Sequence, residues 1–322
     1  MRLTKKAVAV LFFPVMGIVP PLHAAWPEKP IRIIVPFAPG GSADILARTI
    51  SNKLHPALGQ PVVVENRPGA AGNIGSEIVA KSRPDGYTLL VGLMNTHVVN
   101  PALYKNLPFD GVEDFTPVAM LAAVISTMAI HPSVPAKNVK EFIAVAKSRP
   151  GDIAYATAGT GSSTHLNAAV FEKMAGIRML HVPYKGGAPA VLNTMTGQTQ
   201  MIITAATQTL PHARTGRLRL IGVTRAKRVP MLPDVPAIAE TLPGYEAVVW
   251  FGAFGPAGLP KDITTRLNTE INMLMSAPDT KSMMEKMGVE VINISAEAFQ
   301  KKLRAEAVHW TNVVRKYGIK FE

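Results

Sequence analysis

The chain has 322 residues, a formal net charge of +12 and no cysteine. The absence of cysteine excludes a disulfide framework, thiol chemistry and a lipid anchor on an N-terminal cysteine. The lysines and arginines are scattered and lack interleaved aromatic residues, so the charge favours a small anionic ligand over nucleic acid.

The N-terminus has the pattern of a secretory signal peptide. Three basic residues precede a nearly uncharged run over residues 7–22, and Ala24 and Ala25 follow it. A basic segment, an apolar segment and a small-residue exit define such a peptide. The alternative is an uncleaved anchor helix, but the run contains three prolines and is shorter than the ~20 apolar residues that span a bilayer. We therefore predict a signal peptide over residues 1–25, cleavage near Ala24 and Ala25, and export to a bacterial periplasm.

Residues 31–65 have the pattern of a strand, a helix and a second strand. Residues 31–37 form a β-branched apolar run that predicts a buried strand, and residues 61–65 predict another. Between them, leucine and isoleucine residues spaced by four predict a helix with one apolar face. This order implies that the two strands pair in parallel. A short helix over 74–82 and a strand over 87–93 are predicted next.

The second half of the chain repeats this order. A helix over 138–148, a strand over 153–158 and a helix over 163–175 are predicted. The remaining predicted elements are strands over 179–182, 201–204, 218–224 and 248–254, and helices over 188–196, 208–215, 262–276, 280–287 and 296–317. The mature chain is too long for one ordinary core, so the pattern indicates two α/β domains.

Two glycine turns are the strongest candidates for a binding site. They cover residues 39–44 and 158–165, and each lies between a predicted strand and a predicted helix. Glycine lets the backbone approach a ligand, and the N-terminus of a helix favours an anion. Ligands of open α/β sheets also bind beyond the carboxyl ends of the strands. The alternative is that the turns serve only the fold, with Asp44 or Ser163 as an N-cap, but their duplication favours a ligand.

The sequence lacks the common enzyme signatures. Gly159-Thr160-Gly161 is similar to the start of a dinucleotide turn, but Thr164 stands at the third glycine position and no acid follows about 20 residues on. Neither turn has the Gly-Lys-Ser/Thr of a P-loop, and a nucleophile elbow is missing. The histidines show no metal-ligand spacing. No catalytic residue, cofactor or metal is predicted, and His165 is kept as a candidate because it follows the second turn.

Several segments in order resemble the Bug family, also called TctC, the substrate-binding receptors of tripartite tricarboxylate transporters. The resemblance covers the mature chain and rests on residues 26–31, 36–41 with Asp44, 65–72, 84–90, 114–118, 183–186 and 232–236 and on the helix that contains Trp310.

The resemblance implies a two-domain α/β fold of periplasmic-binding-protein type II, a Venus flytrap in which each domain is a mostly parallel sheet flanked by helices. Two hinge crossovers are expected, over 122–130 and 248–254. Domain 1 is then expected to comprise 26–126 with 247–322, and domain 2 to comprise 127–246.

The resemblance also implies which residues bind. In the family, backbone amides and ordered waters of the two turns hold a ligand carboxylate. Carried over, the first turn contributes Gly40, Gly41, Ser42, Ala43 and Asp44. The second turn contributes Gly159, Thr160, Gly161, Ser162 and Ser163. The distal end of the ligand is expected to meet Phe37, Asn95, Thr96, Lys185, Gly186, Thr204 and Ala205.

Two of these positions carry their own alternatives. Lys185 is equally compatible with a solvated loop charge. At Thr204 the chain departs from the family, because many members have an aspartate there, which is able to hold an amino group. Our hypothesis is a ligand without an ammonium group: a di- or tricarboxylate, an aromatic carboxylate, or a neutral acid derivative such as nicotinate.

The function implied is a periplasmic solute-binding protein that captures a small carboxylate and delivers it to the membrane permease subunits of a tripartite transporter. The alternative is that the same binding serves a sensor kinase as the input of a two-component system. A more remote alternative is a cleft enzyme on this fold, for which the sequence shows no activated nucleophile or base.

Overall fold

A computed structural model describes residues 26–104, 106–286 and 288–319. The signal peptide predicted over residues 1–25 lies outside the described residues. The strands are β1 (Ile31–Val35), β2 (Val62–Asn66), β3 (Thr88–Leu93), β4 (Phe115–Val124), β5 (Ser126–Ile130), β6 (Ala154–Thr157), β7 (Leu180–Pro183), β8 (Met201–Ala205), β9 (Arg219–Val223), β10 (Val249–Pro256) and β11 (Val289–Val291). The helices are α1 (Ser42–Leu58), α2 (Asn73–Ala80), α3 (Asn100–Leu103), α4 (Val139–Ser148), α5 (Ser163–Ala175), α6 (Gly187–Met195), α7 (Ala206–Arg214), α8 (Lys261–Ser276), α9 (Pro278–Lys286) and α10 (Ala296–Tyr317).

The strands form two sheets, one with the order β11-β4-β10-β3-β1-β2 and one with the order β7-β6-β8-β5-β9. In the first sheet β1 runs parallel to β2 and β3, while β10 is antiparallel to β3 and β4. In the second, β6 runs parallel to β7 and β8, while β5 is antiparallel to β8 and β9. The expected two-domain α/β class is confirmed. Both sheets are mixed rather than mostly parallel, because the strands next to the crossings between the sheets run against their neighbours.

The first crossing between the sheets is one residue long. Strand β4 ends at Val124 in the first sheet and β5 begins at Ser126 in the second, so Ile125 alone joins them. The Ile125 N–H donates to the carbonyl oxygen of Gly288 at 3.0 Å, and the Ile125 carbonyl accepts from the N–H of Ala206 at 2.7 Å. The backbone of Ile125 is therefore bonded on both sides of the crossing.

The chain returns to the first sheet between β9 and β10. The Ala247 N–H donates to the Thr224 carbonyl at 2.9 Å, and the Thr224 hydroxyl donates to the Ala247 carbonyl at 2.7 Å. The Thr224 N–H donates to the Ser126 carbonyl at 3.0 Å, so the two crossings lie side by side. We propose the division expected from the sequence, with domain 1 over 26–126 and 247–322 and domain 2 over 127–246.

Helix α1 shows how local sequence positions the first glycine turn. Leu46, Ile50 and Leu54, spaced by four, are at most 1% exposed and pack on the first sheet, as predicted. The helix ends at Gly59, which adopts a left-handed φ of 70° and donates its N–H to the His55 carbonyl. The buried face of α1 thus holds its N-terminus at the carboxyl end of β1.

Helix α10 fixes strand β10 in domain 1. The ring of Trp250 on β10 is fully buried, packs edge-on against Phe299 of α10 with centroids 5.4 Å apart, and donates from Nε1 to Glu306. Because neighbouring residues of a strand face opposite sides, Phe251 is turned away from α10.

Candidate functional site

A cavity of about 870 Å³ lies between the two proposed domains. Most of the predicted site residues line it: Phe37, Gly40, Gly41, Ser42, Ala43, Asn95, Gly159, Thr160, Ser162, Ser163, Lys185, Gly186, Thr204 and Ala205. The other four, Asp44, Thr96, Gly161 and His165, lie behind this lining. The structure therefore brings both glycine turns to one cavity and gives the four remaining residues a supporting position.

Asp44 holds the first turn from behind. It is 4% exposed, and its carboxylate accepts hydrogen bonds from the Gly40 N–H at 3.0 Å and from Arg48 Nε at 2.9 Å. Asn66 Nδ2 donates to its second oxygen at 3.0 Å. Burial alone raises the pKa of Asp44, but these hydrogen bonds outweigh it and leave the pKa below its ordinary value. The N-cap of α1 is Gly41, so Asp44 stabilises the turn from behind and does not cap the helix.

The start of α1 offers main-chain donors to the cavity. The first N–H with an acceptor inside the helix is that of Ile45, which donates to the Gly41 carbonyl at 3.0 Å. The preceding N–H groups of Ser42 and Ala43 have no acceptor among the described residues, as expected for a helix N-terminus. Both residues line the cavity, where the helix dipole adds positive potential.

Hydroxyl groups shape the second turn. The N-cap of α5 is Ser162 and not Ser163, and its Oγ accepts from the His165 N–H at 3.3 Å. The Ser162 hydroxyl donates its single proton to the Gly159 carbonyl at 2.6 Å. The Thr164 hydroxyl, 2.8 Å away, must therefore donate to Ser162 Oγ. The turn is thereby fixed before any ligand is bound.

The second turn keeps three donors for the cavity. The N–H groups of Ala158, Gly159, Gly161 and Ser162 bond within the turn or to Thr157 just before it. The N–H groups of Thr160, Ser163 and Thr164 have no acceptor within the described part of the chain, and all three residues line the cavity. Each domain thus contributes several main-chain donors.

His165 supports the second turn. Its Nδ1 accepts the Gly161 N–H at 3.3 Å, which requires the neutral ring to carry its proton on Nε2. The ring stacks on His181 with centroids 3.8 Å apart, and His181 Nε2 lies 2.7 Å from the Thr157 hydroxyl. Burial, followed by the proximity of His181, lowers the pKa of His165 to about 3. His165 is therefore a neutral brace behind the turn.

Thr96 also lies behind the lining. It is fully buried, and its hydroxyl donates to the Leu93 carbonyl at 2.9 Å. A Cβ added to Gly72 would lie 2.7 Å from the methyl group of Thr96. Thr96 therefore packs directly under the loop after β2. This loop lines the cavity through Gly72 itself.

The domains touch at one rim of the cavity. Asn95, in a π-helical turn over Asn95–Val99, is 1% exposed and donates from Nδ2 to the Gly161 carbonyl at 3.2 Å. A Cβ on Gly161 would lie 2.4 Å from the Tyr104 hydroxyl and 3.6 Å from Ala71 Cβ. The second turn is therefore seated against domain 1.

The cavity is basic and partly apolar. Lys185 is the one charged residue lining it within the described ranges, and it is exposed at the cavity mouth. Thr204 is 4% exposed, and its hydroxyl donates to Gln208 Oε1 at 2.8 Å. Phe37 and Phe251 contribute aromatic surface. This combination suits an anion with an apolar middle.

Several lining residues were missed by the sequence reasoning. The loop after β2 contributes Pro68, Gly69, Ala71 and Gly72, and domain 2 contributes Asn167 and Gln208. The loop had a signal, because it carries part of the family resemblance and is rich in glycine. Asn167 and Gln208 had none, since each is a single polar residue on a helix.

A smaller cavity of about 250 Å³ adjoins the first and shares Gly40, Ser42 and Gln208 with it. Arg214 of domain 2 and Lys286 of domain 1 line it from opposite sides. Two cations at this place add to the positive potential around the cleft.

No group of side chains within the described residues has the composition of a metal site. The helices among these residues are too short or too polar to cross a bilayer.

Comparison with known proteins places the chain in a family. Residues 46–319 match the family model of the tripartite tricarboxylate transporter family receptor. The chain is 34% identical to protein BugT of Bordetella pertussis over 319 residues, and the alignment covers 98% of each chain. It is 37% identical over 297 residues to a protein encoded in the tcbD-tcbE intergenic region of Pseudomonas sp. strain P51, covering 92% of this chain and 88% of that one.

Solved structures show the same fold. Rpa4515 of R. palustris with adipate has a TM-score of 0.87 and 35% identity, covering 92% of this chain and 99% of its own. The periplasmic binding protein BugD has a TM-score of 0.85 and 33% identity over 92% of this chain and 100% of its own. MatC from Rhodopseudomonas palustris with bound malate has a TM-score of 0.84 and 30% identity over 90% of this chain and 100% of its own. The resemblance is thus confirmed, and the chain belongs to the TctC or Bug family of tripartite tricarboxylate transporter receptors.

Proposed function

We propose that this protein is a periplasmic solute-binding protein that captures a small carboxylate between its two domains and delivers it to the permease subunits of a tripartite tricarboxylate-type transporter. The observation that carries the proposal is the interdomain cavity with a glycine turn and a helix N-terminus on each side. Oriented main-chain donors from both domains are suited to a carboxylate.

The donors of the two turns support a shared grip on one carboxylate. Ser42 and Ala43 offer N–H groups from domain 1, and Thr160 and Ser163 offer them from domain 2. A carboxylate has about four lone-pair sites, enough to accept from both turns directly or through water. No acidic residue of the described ranges lines the cavity to oppose it.

Cavity size supports a small ligand. A volume of about 870 Å³ admits a small organic acid together with several waters. Relatives of the same fold hold adipate and malate. The aromatic rings of Phe37 and Phe251 would pack against the carbon chain of such an acid.

The mechanism follows from the placement of main-chain donors on both sides of the cavity. A ligand that contacts both turns only when the domains are together binds the closed form more tightly and shifts the equilibrium toward it. The crossings at Ile125 and near Thr224 would carry this motion. The closed form is then the one that the permease subunits recognise.

We propose further that the protein binds without catalysis. A general base must reach the ligand, and His165 lies behind the turn with its Nδ1 engaged by the Gly161 N–H. A periplasmic location is supported by the signal-peptide pattern and by related periplasmic binding proteins.

A thermal-shift screen of the mature protein tests this function. The panel contains adipate, malate, citrate, nicotinate and aspartate, and each bound acid is recovered and identified afterwards. We expect saturable stabilisation by at least one acid, about 2.7 kcal/mol at a concentration of about 100 times its Kd, with the acid recovered unchanged. Stabilisation by none of them, or conversion of the bound acid, would contradict the proposal.

A further inference from the structure

Building on the proposed function, we infer that Gln208 determines specificity where the two cavities meet. Its side-chain amide, oriented by Thr204, presents N–H donors to the ligand. The protein then selects acids that bring a hydrogen-bond acceptor, above all a second carboxylate, to this amide, and rejects acids that carry an ammonium group there.

The orientation of the amide is set by Thr204. The Thr204 side chain is nearly buried, and its hydroxyl donates to Gln208 Oε1 at 2.8 Å. With Oε1 engaged as the acceptor, the two N–H groups on Nε2 form the free end of the amide. No hydrogen bond within the described part of the chain uses Nε2.

Gly187 confines the amide from the other side. A Cβ on Gly187 would lie 2.5 Å from Gln208 Oε1 and 2.6 Å from Nε2. The amide therefore packs directly on the backbone at the start of α6. Held between Thr204 and Gly187, it has little freedom to turn.

Gln208 lies in a part of the cleft whose charged residues are basic. It lines both the 870 Å³ cavity and the 250 Å³ cavity, so it forms part of the wall between them. The charged residues that line these cavities in the described ranges are all basic: Lys185, Arg214 and Lys286. An ammonium group at this wall would meet donors and cations, and would lose its hydration without gaining an acceptor.

A carboxylate or carbonyl at the same place accepts from Nε2, and a carboxylate there meets a lining whose described charged residues are all basic. An acid without this acceptor leaves the desolvated N–H groups of Gln208 without a hydrogen-bond partner. Its affinity should therefore be much lower than that of an acid with the acceptor. The chemical class expected is a dicarboxylate, or a monocarboxylate with a second hydrogen-bond acceptor.

The test compares wild-type protein with Q208E by calorimetric titration with adipate, malate and aspartate. Malate and aspartate differ by a hydroxyl in place of an ammonium group. Wild type is expected to prefer adipate or malate to aspartate. Q208E replaces the donor by an anionic acceptor of the same shape, so dicarboxylate affinity should fall at least ~10-fold and the malate-to-aspartate ratio should fall with it.

Four further variants make the outcome decisive. Thr204→Val removes the orienting hydroxyl and should lower the malate-to-aspartate ratio, whereas Thr204→Ser should keep it. Gly187→Ala displaces the amide and should act like Thr204→Val. Gln198→Glu makes the same chemical change on the exposed surface of domain 2 and should leave binding unchanged.

The outcomes separate the two proposals. If wild type binds dicarboxylates and Q208E, folded with an unchanged unfolding midpoint, binds them with the same affinities and the same ratio, the inference about Gln208 is overturned and the proposed function stands. If wild type binds none of the carboxylates, the proposed function is overturned and the inference falls with it.

Discussion

The side-chain amide of Asn95 in domain 1 donates a hydrogen bond to the carbonyl oxygen of Gly161 in domain 2, at 3.2 Å. The donor and the acceptor belong to different proposed domains, so this bond exists only while the domains are together. In the proposed mechanism, this bond favours the closed form, whose population sets the apparent affinity for the ligand.

Asn95→Ala should weaken ligand binding by about 5- to 10-fold, because one hydrogen bond of the closed form is worth about 1 kcal/mol. Titration calorimetry gives the affinity, and small-angle X-ray scattering gives the fraction of closed protein. Asn293→Ala removes an exposed bond to Ser276 in the same domain and should change neither. Equal affinity of Asn95→Ala and wild type would show that the bond does not bias closure.

Gly161→Ala should hold the domains apart. Its Cβ would lie 2.4 Å from the Tyr104 hydroxyl, and its φ of +79° strains any other residue. We expect ligand affinity to fall at least ~10-fold. The double variant Gly161→Ala/Tyr104→Ala removes the clash and should recover part of this loss.

Gly176→Ala is the matched control for strain. Gly176 also has a positive φ, +59°, but a Cβ there has no neighbour within 4 Å. This variant should lower the unfolding free energy by about 1 kcal/mol and leave ligand affinity unchanged. If both glycine variants lose affinity equally, strain and not contact between domains explains the effect.

Ser42→Pro should remove one main-chain donor without disturbing the fold. Ser42 is the first residue of α1, where proline is tolerated, and Gly41 before it is already extended with ψ of 170°. Affinity for a carboxylate should fall ~10-fold or more, since a charge-assisted hydrogen bond is lost. Ala296→Pro makes the same change at the start of α10, after the extended Ser295, and should leave affinity intact.

Buried neutral histidines should make the protein less stable in mild acid. Burial lowers the pKa of His97 to about 4 and, with the proximity of His181, that of His165 to about 3. In the unfolded chain both titrate near ~6.5. As pH falls from about 6.5 to about 4, the unfolded state gains protons that the folded state does not, so the unfolding free energy falls by up to about 1.4 kcal/mol per pH unit for each histidine.

Urea unfolding at pH 7, 6 and 5 measures this slope. His97→Phe removes one titrating group from its place against Phe254, where the rings stack at 3.8 Å, and should flatten the slope. A slope identical to that of wild type would show that His97 is not a source of the acid sensitivity.

Long elements with strong local signals were predictable from the sequence. The predicted helices over 163–175 and 296–317 agree with α5 and α10. Each begins at a serine N-cap, and each ends at a glycine with left-handed φ, Gly176 and Gly318. These boundaries are encoded within a few residues, so no tertiary information was needed.

Features that depend on tertiary contacts were not predictable. The resemblance places a crossing over 122–130 but does not locate it at Ile125, because hydrophobic periodicity does not tell which sheet a residue joins. Strand β11 has three residues and was missed for lack of length. At the site, the glycine turns had a pattern, whereas the role of Gln208 depends on Thr204 and Gly187, which meet it only in the folded chain.

The one-residue crossing at Ile125 has a kinematic consequence. Because Ile125 is bonded on both sides and Thr224 of the second crossing is bonded to Ser126, we expect the domains to swing about a pivot that passes through these residues. Displacement on opening then grows with the lever arm from that pivot. The chain has no cysteine, so introduced cysteines can carry the only thiol-linked labels. On opening, the distance between two such labels should change little beside Ile125 and most at the outer edges of the domains. Under the proposed function, those edges are where a permease would best distinguish the loaded from the empty receptor.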